Sequence, residues 1–156
     1  MNSGYINLRG HETWSVEYAN NGQPLVLLHG GLSSNEDWDS YILPSVEKTH
    51  HVYGYDRTGH GRTGIREGYF HFDFQCDEAI AYLEDVVKGP AHLVGWSDGG
   101  IIALWQNAKT LEVEISASGL AFTLKRRPFF RHAKMILDVQ AGQNPLGRPF
   151  LFLRLQ

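Results

Sequence analysis

The stretch that most constrains what this chain can fold into is Gly95-Trp96-Ser97-Asp98-Gly99, a serine with glycine at both second neighbours. The apolar pair Leu93-Val94 leads into it, and Ile101, Ile102, Leu104 and Trp105 follow it. The first segment reads as a short buried strand and the second as a helix packed on one side. A strand that turns straight into a helix leaves no room for side chains two residues either side of the corner, so glycine is required there. The product of such a turn is a hydroxyl lifted clear of the sheet at a helix N-terminus. Backbone N–H groups without intrahelical partners point outward there and favour developing negative charge. Outside that setting, the same five residues are a glycine-rich structural turn without chemistry.

The rest of the chain supplies the setting. Residues 4–9 and 13–19 alternate well enough for two strands joined at Gly10-His11, and Asn20-Asn21-Gly22 marks a turn. Leu25-Val26-Leu27-Leu28 is a continuous apolar run ending in His29-Gly30-Gly31, as a buried parallel strand requires. Ser33 and Glu36 have capping-box spacing, which predicts a helix over Trp38, Tyr41 and Ile42 that Pro44 interrupts. The strand His51–Tyr55 ends in the polar, glycine-rich loop Asp56 to Thr63. A helix from Phe74 places 76, 79, 80, 83, 86 and 87 on one face, and Gly89-Pro90 stops it. Leu111 to Ala117 reads as one further strand. This alternation predicts an α/β fold with a mostly parallel sheet and flanking helices. Sites in such sheets form at the carboxyl ends of the strands, where the three glycine-rich stretches fall.

Composition narrows the function classes. With 42% hydrophobic and 20% charged residues, the 156-residue chain has the balance of a globular domain. The N-terminal MNSGYINLRGHE contains no apolar signal-like core, and no run approaches a membrane span, so the cytoplasm is the expected location. The lone Cys76 agrees with that and reads as a small core residue on an apolar helix face. The net charge of −3 conceals a break, because seven of the 14 basic residues but one of the 17 acidic ones lie in residues 125–156. Residues 1–124 are therefore read as the core and residues 125–156 as a basic, poorly patterned tail. The tail carries no nucleic-acid-reading motif and no amphipathic membrane helix. No paired metal-ligand spacing, P-loop or dinucleotide glycine pattern occurs, so no metal and no cofactor are expected.

Taken in order and spacing, His29-Gly30-Gly31, Asp56…Gly59-His60-Gly61 and Gly95-Trp96-Ser97-Asp98-Gly99-Gly100 resemble the α/β-hydrolase fold family. The likeness is greatest to small bacterial-type serine hydrolases and their biphenyl-hydrolase-like relatives, and it covers about residues 4–118. It implies acyl transfer on a small-molecule ester, thioester or activated amide, with Ser97 as nucleophile. It also implies an oxyanion hole built from the backbone N–H groups of Asp98 and Gly31. His29 is implied to shape the oxyanion loop, and Asp56 and His60 to order theirs. The family usually has arginine at the position of Thr58, and neighbouring Arg57 is an imperfect substitute. Serine at position 97 speaks against the dehalogenase and epoxide-hydrolase chemistries of this fold, which place aspartate there.

The resemblance weakens toward the C-terminus. A serine hydroxyl needs a base, and in this family an acid and then a histidine follow the serine along the chain. After Ser97 the only histidine is His132, and the acids are Asp98, Glu112, Glu114 and Asp138, the last in reversed order relative to His132. The triad acid and histidine are thus unassigned, and the chain is expected to be a hydrolase core lacking its last strands, with impaired turnover. The competing expectation is a non-catalytic protein that uses the same pocket to bind a small ligand or a partner. Oligomeric state is not legible.

Overall fold

The computed structural model describes residues 1–18, 22–40, 42–68, 70–89 and 91–110, and beyond them the strand segments 116–118, 121–123, 135–136, 142–143 and 149–155. The chain begins with an antiparallel hairpin of β1 (Asn2–Leu8) and β2 (His11–Tyr18), closed by Arg9 and Gly10 at φ 48° and 90°. β3 (Gln23–Leu28) follows, with Leu25 to Leu28 each at most 1% exposed. A strand covered on both faces cannot alternate apolar with polar, and four consecutive aliphatic residues meet that demand. β4 (His50–Tyr55) and β5 (His92–Gly95) lie on either side of β3, both parallel to it. β2 pairs antiparallel with β4, so the sheet is parallel at its centre and carries the hairpin at one margin.

Among the described residues, three helices cover the sheet. α1 (Leu43–Val46) packs on one face together with a 3-10 turn at Asn35–Trp38. α2 (Phe72–Tyr82) and α3 (Asp98–Thr110) pack on the other. The period of two along β3 decides which residue meets which layer. Val26 and Leu28 join Tyr55, Leu93, Cys76, Tyr82 and Ile102 under α2 and α3, whereas Leu25 and Leu27 join Val52, Val94, Trp38, Leu43 and Val46. Cys76 is fully buried in the first cluster, its Sγ 3.7 Å from the carbonyl oxygen of Ile102.

Several local expectations are corrected. The capping box does not form: the 3-10 turn starts after Ser34 without a side-chain cap, and the Ser33 hydroxyl donates to Asp37 instead. Pro44 does not interrupt a helix but sits in the first turn of α1, where its missing N–H costs nothing. The second helix starts at Phe72 rather than Phe74. It ends through a wide turn, Leu83–Val87, closed by Lys88 at φ 59° with its N–H on the carbonyl of Leu83 at 2.8 Å.

Beyond α3, β6 (Ser116–Ser118) pairs with β7 (Ala121–Thr123) apart from the main sheet. Residues 111–115, the start of the strand expected over 111–117, lie outside the described residues. In the basic stretch 125–156, the short β8 (Met135–Ile136) and β9 (Gly142–Gln143) flank β10 (Pro149–Leu155). β10 runs antiparallel to β5, with Phe152 opposite Val94. Among the described residues, no helix is long and apolar enough to cross a membrane.

Candidate active site

β5 ends at Gly95, α3 begins at Asp98, and Ser97 fills the corner at φ 51°. A side chain on an L-residue in that left-handed region costs of order 1–3 kcal/mol, so the surrounding packing must impose it. The packing is visible at the two flanking glycines. A Cβ on Gly95 would collide with the backbone of Gly99 and Gly100, and one on Gly99 with the carbonyls of Leu28 and His29. The corner is tied down by the Trp96 N–H on Leu28 O (3.2 Å), Gly99 N–H on Trp96 O (2.9 Å) and Ile101 N–H on Ser97 O (3.1 Å). Ser97 itself is exposed. Of the first-turn N–H groups of α3, those of Gly99, Gly100 and Ile101 go to the carbonyls of Trp96 and Ser97, and that of Asp98 belongs to the first residue of the helix.

The loop after β3 approaches the same corner. A Cβ on Gly30 would lie 3.4 Å from the Cβ of Ser97 and 3.0 Å from the Trp96 ring, so the Gly30 backbone lies against the serine. A Cβ on Gly31 would run into the Asp98 carboxylate. Next in the chain, Leu32 is fully exposed and has φ 54°. The structure therefore brings Gly31, Ser97 and Asp98 together at the carboxyl ends of β3 and β5.

His29 lies beneath this loop, 1% exposed. The backbone N–H of Arg57 can only donate, so His29 Nε2, at 3.0 Å, must accept. The ring proton is then on Nδ1, which donates to the Gly30 carbonyl at 2.8 Å. Burial, and secondarily the Arg57 charge, push the imidazole down to about 3, so it is neutral at physiological pH. With both nitrogens engaged inside the protein, His29 shapes the loop.

The loop after β4 is ordered by buried polar groups. The Asp56 carboxylate is fully buried and accepts from the N–H groups of Asn35 (2.7 Å) and Arg62 (2.8 Å). His60 Nδ1 lies 3.0 Å from the Thr58 carbonyl, and its ring packs 5.1 Å from that of His29. Arg57 is 0% exposed and donates to the Gly30 carbonyl at 2.7 Å and to Gln75 Oε1. Thr58, where the family usually has arginine, instead gives its hydroxyl and N–H to the buried Glu78, which Arg66 approaches at 3.5 Å. Gln75 and Glu78 were missed from sequence. Their signal was two polar residues three apart beside Cys76 and Ala79, on the face of α2 that packs inward.

Among the described residues no three His, Cys, Asp or Glu side chains come close enough to hold a metal ion. The candidate triad partners Glu112, Glu114, His132 and Asp138 all lie outside the described residues.

Comparison with known proteins agrees with this arrangement. The model of the "Alpha/beta hydrolase family" matches residues 25–155, reaching well past residue 124. A non-heme chloroperoxidase of Burkholderia pyrrocinia is 36% identical over 78 residues, 50% of this chain and 28% of that protein. A proline iminopeptidase of Clostridioides difficile is 31% identical over 111 residues, 67% of this chain and 38% of that protein. A solved structure described as an N-acyl homoserine lactone degrading enzyme superposes at TM-score 0.60 with 28% identity, covering 67% of this chain and 40% of that one. Haloalkane dehalogenase structures from Bradyrhizobium elkanii superpose at up to 0.64 with 23% identity, a likeness of fold alone. The chain spans 28% and 38% of the two curated relatives named. A match across most of the chain, on a fold that brings the glycine-rich loops to one edge, gives one reading: this chain belongs to the alpha/beta hydrolase family.

Proposed function

We propose that the chain is a serine hydrolase acting by acyl transfer on a small-molecule ester, thioester or activated amide. The Ser97 oxygen attacks the acyl carbon and gives up its proton, and the bond from that carbon to the leaving group breaks. The leaving group departs carrying a proton, and water then hydrolyses the acyl-serine, freeing the acid and restoring the Ser97 hydroxyl. The N–H groups of Gly31 and Asp98 receive the oxyanion of each tetrahedral intermediate. The observation that carries this reading is the left-handed Ser97, exposed at the β5–α3 corner with the Gly30 backbone against it. Holding a non-glycine residue in that conformation at a cost in stability is hard to explain for a plain structural turn. The G-W-S-D-G-G wording of the corner favours the biphenyl-hydrolase-like branch. A serine at this position disfavours dehalogenation, although dehalogenases share the fold. The fully buried Cys76 fits a reducing, cytoplasmic setting. No role for nucleic acid, membrane, metal or cofactor belongs to this reading.

Turnover is proposed to be weak. His132 is the only histidine after the nucleophile, and Arg126, Arg127, Arg131 and Lys134 near it in sequence disfavour the imidazolium that a base must become. A site reduced to binding and oxyanion contacts retains about 10³–10⁴ over water. Hydrolysis of p-nitrophenyl acetate by the purified chain tests this. Ser97→Ala abolishes the enzymatic rate, whereas Cys76→Ala and His132→Ala leave it within about threefold. Equal turnover by Ser97→Ala removes the nucleophile assignment, and a collapse in His132→Ala shows that a working triad exists. The second reading, a non-catalytic binder using the same pocket, is favoured if the chain turns over no ester.

A further inference from the structure

Arg57 has no place in the mechanism above, yet among the described residues it is the largest fully buried side chain. Among the described residues, no carboxylate comes within ion-pair distance of its guanidinium. Keeping such a charge out of water is costly unless its donors are well spent. Two of them are spent on Gly30 O and Gln75 Oε1. The carbonyl is the informative partner, because Gly30 C=O and Gly31 N–H belong to one peptide unit. A planar trans peptide holds these two groups pointing in opposite directions.

The Gly30 oxygen takes two donors from the interior, Arg57 Nη2 at 2.7 Å and His29 Nδ1 at 2.8 Å. Two donors on one carbonyl fix the rotation of the whole plane, so the Gly31 N–H is held facing away from the interior. Ser97 packs against this peptide, since a Cβ added to Gly30 would lie 3.4 Å from the Ser97 Cβ. A peptide whose carbonyl is doubly engaged, once by a cation, is also polarised into a stronger donor at its N–H end. The guanidinium has a second effect. The Asp98 carboxylate faces Gly31 and would repel an oxyanion forming there, and Arg57 is close enough to interact electrostatically with Asp98.

We propose that Arg57 is a positioning residue: gripping the Gly30 carbonyl from below, it aims the Gly31 N–H at the oxyanion and offsets the charge of Asp98. Gln75, on α2, holds the other arm of the fork and so links that helix to the oxyanion loop. The proposal rests on the reading of Ser97 as nucleophile and Gly31 as donor.

The test compares wild type with Arg57→Met and Arg57→Lys in the full chain, by two measurements. The first is hydrogen exchange of the Gly31 amide by NMR. Exchange in Arg57→Met should be faster by about tenfold or more, with the amides of Val26 and Val94 in the core strands unchanged. The second is hydrolysis of p-nitrophenyl acetate. In Arg57→Met kcat should fall by about tenfold to a hundredfold with KM within about twofold, because the lost contact matters only in the transition state. Arg57→Lys, which keeps the charge but cannot fork, should recover part of both. Wild-type exchange at Gly31 in Arg57→Met, or a raised KM at unchanged kcat, overturns the proposal. If wild type turns over no ester, the acyl-transfer reading fails, and the exchange measurement still decides what Arg57 does to the loop. If Arg57→Met does not fold, Gln75→Leu carries the same comparison. A smaller rise in Gly31 exchange supports the proposal, and none overturns it.

Discussion

Ser97 at φ 51° is one of four non-glycine residues in the left-handed region among the described residues, with Arg9, Leu32 and Lys88. Arg9 closes a hairpin and Lys88 ends a helical segment, places where chain reversal alone accounts for the conformation. Ser97 has Gly95 and Gly99 at its second neighbours, and a protein selected only for stability would gain by a third glycine between them. Ser97→Gly should therefore stabilise the fold by about 1 kcal/mol net of the extra freedom it gives the unfolded chain, raising Tm by about 2–4 °C while destroying activity. Thermal melts of the two proteins check this. A Ser97→Gly protein less stable than wild type would mean that the serine is retained for packing.

At the scale of elements, the site is a clasp between the loops that follow β3 and β4. His29 bridges them, its Nε2 on the Arg57 N–H and its Nδ1 on the Gly30 carbonyl. Its pKa is depressed in the folded protein, from 6.5 to about 3, mainly by burial. The unfolded chain therefore binds a proton below pH 6.5 that the folded chain refuses until about pH 3. The contribution of His29 is complete above 6.5 and declines as pH falls across that window, by up to about 1.4 kcal/mol per pH unit. Urea unfolding at pH 7, 5 and 4 should show wild type losing more stability than His29→Gln, whose side chain does not titrate. Parallel losses in the two proteins would show that His29 is not held neutral. The clasp was only half legible in the sequence. His29-Gly30-Gly31 and Asp56 to Gly61 could be assigned to the strand ends from glycine and polar content. Which atoms meet across the loops depends on registers that no local pattern encodes. The same limit explains the failed capping box at Ser33 and the misread Pro44. Both were judged by spacing alone, whereas a short 3-10 turn and a one-turn helix are set by how Trp38, Leu43 and Val46 pack on the sheet.

Across the whole molecule, the α/β architecture was readable because its central strand announces itself: only a doubly covered strand tolerates Leu25 to Leu28 without a polar break. The tight β5–α3 corner was readable for the opposite reason, since Gly95 and Gly99 stand where any side chain would strike backbone. Gln75 and Glu78 were not, because a buried polar residue looks like a surface one until its partner on another element is known. The account as a whole stands on Ser97 being an exposed nucleophile within reach of oxyanion donors, reactive though slow without an assigned base. Labelling with a fluorophosphonate probe tests that directly, since phosphonylation needs both features and leaves a mass tag on the residue that reacted. The account predicts a single adduct on the peptide containing Ser97 and none in Ser97→Ala. No labelling of the folded protein, or an equal adduct in Ser97→Ala, would contradict it.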